Sequence, residues 1–87
     1  MTTFPLKISS PEGDLFCGAA VMLSLRGTEG ELAVMAGHIP FVSSVVPCEC
    51  KILFEDGEEK IAKTDGGILT VSSDKVLLLS GSFEWIQ

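Results

Sequence analysis

Turn-forming residues interrupt this sequence every eight to twelve residues, and no stretch between them keeps helical periodicity for ten. That spacing rules out a helical bundle and favours short strands. The turns are Ser10-Pro11-Glu12-Gly13-Asp14, Gly27-Thr28-Glu29-Gly30, Gly37-His38-Ile39-Pro40, Pro47, Asp56-Gly57, Asp65-Gly66-Gly67 and Ser72-Ser73-Asp74-Lys75. Glycine supplies positive φ and proline withholds a backbone donor, so both punctuate strands. Asp56-Gly57 between two strand-like runs is the strongest hairpin signal.

Between turns the apolar residues alternate. Phe4, Leu6 and Ile8 read as one face of a half-buried strand. Residues 15–25 read as a single long strand with Ala19, Val21, Leu23 and Leu25 on one face, bent at Gly18. Leu32 to Met35 is long enough for one buried strand, and Phe41 to Val46 for another. Cys48, Cys50, Ile52 and Phe54 alternate with Glu49, Lys51, Leu53 and Glu55, and the polar run 58–63 returns as an edge. Residues 68–71 and 76–79 are two further strands, and Phe83 and Trp85 alternate in a tail that reads as an edge strand. The sum is roughly seven to nine strands. The fold class expected is all-β, an antiparallel β-sandwich of two packed sheets in one domain over residues 1–87.

Composition narrows the partners. A hydrophobic fraction of 46% and a mean hydropathy of +0.42 give enough apolar surface for one core. A net charge of -6 and a pI near 4.5 argue against nucleic acid or an anionic lipid surface, which need a basic face. No apolar run approaches the ~20 residues of a membrane span, so no direct membrane insertion is expected. The opening Met1-Thr2-Thr3-Phe4-Pro5-Leu6-Lys7 lacks the basic-then-apolar order of a signal peptide, which favours a cytoplasmic chain. Cys17, Cys48 and Cys50 are then free thiols rather than a disulfide framework.

The candidate chemistry is thin. Glu29 and Glu31 flank Gly30 on an exposed turn, with no neighbouring base or nucleophile to make an acid–base pair. His38 is the sole histidine, and a metal site would need Cys48 and Cys50 beside it. Cys-x-Cys on a strand places both thiols on the Ile52/Phe54 face, where they act as small hydrophobes. No catalytic residue, cofactor or metal is assigned. A small thiol or metal-binding protein stays open as an alternative, as does a stand-alone β-sandwich adaptor. The run Glu55, Asp56, Glu58, Glu59 reads as a solvated hairpin tip.

Gly27-x-x-Gly30-x-Leu32 followed by Gly37-His38-x-Pro40 resembles the signature of the epsilon subunit of F-type ATP synthase, called delta in mitochondria. Phe4-Pro5-Leu6-Lys7-Ile8 with Ser10-Pro11-Glu12-Gly13, and Gly66-Gly67-Ile68-Leu69-Thr70-Val71, resemble other strands of that family. Ala33, Cys17-Gly18 and Val46-Pro47-Cys48 depart from its pattern. The resemblance implies the family's β-sandwich alone, without the inhibitory or ATP-binding helical hairpin. It implies a non-catalytic rotor-stalk part that joins the gamma subunit to the c-subunit ring, peripheral on the cytoplasmic face of the membrane. By residue match, Glu29, Gly30 and Glu31 would meet the c-ring, and Ser10, His38 and Ser43 the gamma subunit.

Overall fold

The computed structural model of the chain describes residues 2–37 and 39–86. Ten strands follow in order: β1 (Phe4–Ser10), β2 (Gly13–Ala20), β3 (Met22–Gly27), β4 (Gly30–Met35), β5 (Phe41–Val45), β6 (Cys48–Leu53), β7 (Glu59–Thr64), β8 (Gly67–Val71), β9 (Val76–Ser80) and β10 (Phe83–Trp85). Among the described residues there is no helix, and so none long and apolar enough to cross a membrane.

The sequence points to two sheets; the hydrogen bonds join all ten strands into one. Their order is β10-β7-β6-β3-β5-β8-β9-β1-β2, with β4 added to β3. The network narrows to a single register pair, Gly27 with Val45, where β3 meets β5. The N–H of Val46 reinforces it by donating to the Arg26 carbonyl at 3.1 Å. Every pairing is antiparallel except β1 with β9, which runs parallel from Leu6/Val76 to Ser9/Leu79. A parallel pair needs a long crossover, and here the intervening chain is seven strands long.

Alternation sends one row of side chains inward from each strand. Leu6 and Ile8 of β1, Leu23 and Leu25 of β3, Cys50 and Ile52 of β6, Leu69 of β8 and Leu78 of β9 are all buried in one cluster. Each large aliphatic side chain removed from water contributes about 1.5–3 kcal/mol. The far seam, between β2 and β10, is closed by aromatic rings. Phe16 packs against Phe54 at 5.7 Å and Trp85 at 6.0 Å, and Phe83 meets Trp85 edge-on at 5.2 Å. Lys60 Nζ lies 5.5 Å from the centre of the Trp85 ring.

Three expectations change. Residues 15–25 are two strands, broken at Val21, whose N–H donates to the Leu53 carbonyl at 2.8 Å. The break flips the parity: Ala20 rather than Ala19 is buried, and then Leu23 and Leu25. The irregularity in β2 falls opposite Ile8/Ser9, so that Leu15 and not Gly18 is the extra residue. The polar arm β7 is not an edge, since β10 pairs with it from Phe83/Thr64 to Trp85/Ala62.

Candidate functional site

β3 and β4 form a hairpin that ends in Thr28-Glu29. Gly27 pairs with Gly30 across its base. Gly30 takes φ +127°, which a side-chain-bearing residue resists, and nothing lies within 4 Å of where its Cβ would be. Glycine is therefore needed there for the turn's shape and not for space. Thr28, Glu29, Gly30 and Glu31 are all exposed. Arg26 stands opposite Glu31 in the ladder, yet among the described residues the ion pair is Lys7–Asp14, at 3.5 Å. Among the described residues neither glutamate is in an ion pair. The turn presents two carboxylates to solvent.

A shallow concavity beside the turn is lined by Glu29, Glu31, Leu32, Phe41, Val42 and Ser43. Ser43 is thus next to the acidic turn. It lies on an inward-facing row of β5, in register with Leu69, Leu78 and Ile8. Its hydroxyl donates to the Ser44 carbonyl at 3.1 Å. Ser10 is elsewhere, at the β1–β2 turn, where its Oγ accepts the Glu12 N–H at 3.2 Å and donates to the Gly13 carbonyl at 3.3 Å. β8 and β9 separate the strands of the two serines, a span of about 14 Å. His38 lies outside the described residues. The structure therefore gathers Ser43 with Glu29, Gly30 and Glu31, and leaves Ser10 across the sheet.

An apolar sheet face with few charges is expected for the buried contact; what sequence alone does not locate is the residues that form it. Two outward rows cross five strands in register: Val42–Thr70–Leu77–Lys7–Cys17 and Ser44–Ile68–Leu79–Ser9–Asp14. Val42, Ile68 and Leu79 are exposed to 68%, 43% and 46%. The only charges in these rows are Lys7 and Asp14, which pair with each other, and Ser9 also donates to Asp14 at 2.8 Å. The opposite outer face, on β4-β3-β6-β7, carries Glu31, Arg26, Glu49, Lys51, Glu59 and Lys63. Charge is concentrated on that side, while the two rows of the other hold one cation and one anion, with Lys75 at their margin. Such a nearly neutral plane can bury area against a partner with little charge to desolvate.

The thiols do not form a site. Cys17 is exposed on β2, while Cys48 and Cys50 are on β6. Among the described residues no three His, Cys, Asp or Glu side chains gather as metal ligands. Burial, and then the neighbouring Cys48 thiol, push the Cys50 thiol up from 9.0 to about 12. The sign follows directly. Above pH 9 the unfolded chain gives up this proton while the folded chain keeps it, so stability falls as pH rises from 9 toward 12. Urea melts across that range should lose up to about 1.4 kcal/mol per pH unit from this group. A Cys50→Val chain should show a correspondingly flatter profile; an unchanged slope would place the alkaline sensitivity elsewhere.

The sequence matches the family model described as ATP synthase, Delta/Epsilon chain, beta-sandwich domain, over residues 3–86. It is 39% identical over 83 residues to the ATP synthase epsilon chain of Clostridium novyi, covering 95% of this chain and 63% of that one. It is 38% identical over 86 residues to the epsilon chain of Ruminococcus albus, covering 98% and 63%. The chain thus spans 63% of the length of these two curated relatives. Among solved structures, a chain of the Euglena gracilis mitochondrial ATP synthase superposes with a TM-score of 0.90 at 21% identity, covering 98% of this chain and 54% of that one. A chain of the Tetrahymena thermophila central stalk and c-ring gives 0.77 at 13% identity, covering 94% and 66%. At these identities the two structures speak for the fold.

Proposed function

We propose, on the premise that this chain belongs to the delta/epsilon β-sandwich family of ATP synthase, that it is a non-catalytic part of the rotary stalk. In this reading residues 1–87 form one docking unit. Its neutral face seats on the gamma subunit, and its acidic turn meets polar loops of the c-subunit ring. Ring rotation is thereby passed to the stalk during proton-driven ATP synthesis. The unit sits on the cytoplasmic side of the membrane and is held there by the assembly.

The observation that carries the reading is the division of labour on the surface. The plane of Val42, Ile68, Leu77 and Leu79 suits a large dry contact, with Ser10 at its margin. The exposed carboxylates of Glu29 and Glu31 suit a polar contact that sets register and on-rate. Ser43 and His38 keep their proposed place beside gamma, Ser43 from the concavity where the turn and β5 meet.

Mixing the full chain with gamma subunit and with assembled c-ring from the same source tests this. A stoichiometric gamma complex is expected at micromolar concentrations. Reversing both charges, Glu29→Lys with Glu31→Lys, should weaken ring association about tenfold at low salt and less at high salt, and leave gamma binding alone. Absence of a gamma complex would overturn the reading.

A further inference from the structure

Six strands close into a ring of contacts at the level of the acidic turn's base. Gly27 of β3 pairs with Val45 of β5, Val45 with Gly67 of β8, and Gly67 with Ser80 of β9. The Ser80 and Thr64 hydroxyls then share a hydrogen bond of 2.6 Å, which crosses the interior from β9 to β7. Thr64 pairs with Cys48 of β6. The ring returns to β3 through the Arg26 N–H, which donates to Cys48 Sγ at 3.4 Å. Backbone pairing makes four of the links; side chains make the other two. Both hydroxyl-bearing residues are buried, Thr64 to 5% exposure and Ser80 to 3%.

The acidic turn needs such a base. β4 pairs only with β3, so the hairpin is joined to the body along one strand. β3 meets β5 at one register pair, and the space there is tight. A Cβ on Gly27 would lie 3.0 Å from Ser43 Oγ and 3.2 Å from the Ser44 carbonyl oxygen. A load on Glu29 or Glu31 passes through Gly27 into β5, whose outward residues Val42 and Ser44 belong to the neutral face. If the two arms of the sheet slid past each other, that path would be slack. The chain itself joins the arms through β10, whose Phe83 pairs with Thr64, and the Asp65 N–H donates to the Ser82 carbonyl at 3.1 Å; the Thr64 and Ser80 hydroxyls add an interior link that resists the slide.

We propose that this ring is a collar that holds the acidic turn at a fixed angle to the docking face, with Thr64 and Ser80 as its positioning residues. The collar's use in coupling rests on the functional reading above; its stiffness does not. Thr64→Val removes the hydroxyl and keeps the shape, whereas Thr64→Ser keeps the hydroxyl. Hydrogen exchange on the full chain reads the collar directly at the Val46 amide, which donates to the Arg26 carbonyl. Exchange there should speed up about tenfold in Thr64→Val and stay near the parent rate in Thr64→Ser.

In the assembled enzyme, Thr64→Val should pump fewer protons per ATP hydrolysed, with gamma affinity within about twofold of the parent and rescue by Thr64→Ser. Should Thr64→Val fail to fold, Ser80→Ala breaks the same link and leaves the Thr64 hydroxyl its bonds to Gly66. Parent-like exchange at Val46 in every variant would overturn the collar. Faster exchange with parent-like pumping would overturn its role in coupling. A parent chain that never joins gamma would instead overturn the functional reading.

Discussion

A Gly67→Ala chain is expected not to reach the native fold, or to reach it with a loss of about 4 kcal/mol or more. Gly67 opens β8 at φ +151°, between Val45 on one side and Ser80 on the other. An added Cβ would land on the Leu79 carbonyl oxygen, 2.9 Å from its carbon and 3.1 Å from Ser80 Cα. All three are backbone atoms of a paired strand, so none can rotate aside. Relief would require β8 and β9 to part, and with them the row of Ile68/Leu79 and the buried row of Leu69/Leu78. Gly13→Ala separates the two causes. Gly13 has φ +133° but nothing within 4 Å of its Cβ position, so it bears backbone strain without collision. That variant should lose only about 1–3 kcal/mol. Urea denaturation of both chains checks the contrast; equal losses would mean that strain, not contact, decides both.

Much of this fold is legible from short-range pattern. Phe4, Leu6 and Ile8, and likewise Cys50 and Ile52, alternate with exposed neighbours such as Pro5, Lys7 and Lys51, and all are buried as the alternation requires. The Asp56-Gly57 turn is as local: Gly57 takes φ +88° and its N–H donates to the Phe54 carbonyl at 3.0 Å. The failures share a non-local cause. Residues 15–25 are apolar on both parities, so the break at Val21 leaves no trace in the sequence; it falls where the Val21 N–H bonds to the distant Leu53 carbonyl. β7 looks like an edge until Trp85, far along the chain, pairs with Ala62 and covers it.

The same holds for the site. The glycine-bracketed acidic turn is visible as a string. Glu29, Gly30 and Glu31 are exposed as that string implies. The makeup of the neutral face is not visible, because Val42, Thr70, Leu77, Lys7 and Cys17 become neighbours only through strand order. Nor is the Thr64–Ser80 bond, since an isolated threonine in a polar arm carries no sign of a partner sixteen positions on. A parity count outward from buried Val45 would have put Ser43 on the inner row and Val42 on the outer.

The neutral face gives the second large effect. Ile68→Glu combined with Leu79→Glu places two carboxylates directly opposite each other in its middle. Both positions are solvent-facing in the free chain, at 43% and 46% exposure, so folding should cost little beyond the like-charge repulsion of about 1 kcal/mol or less. Docking is different. A partner seated on the plane would strip water from both carboxylates, and the cation within the two rows, Lys7, is already paired with Asp14. The expected loss in gamma binding is about 2–4 kcal/mol, or roughly 30- to 1,000-fold in affinity. Glu49→Lys on the opposite, charged face makes an equally drastic change of sign where no docking is proposed, and should leave gamma affinity within about twofold. Titration of gamma with the parent and both variants decides it. If the Glu49 variant is the one that fails, the charged face is the docking surface, and the neutral plane must be explained by something other than gamma.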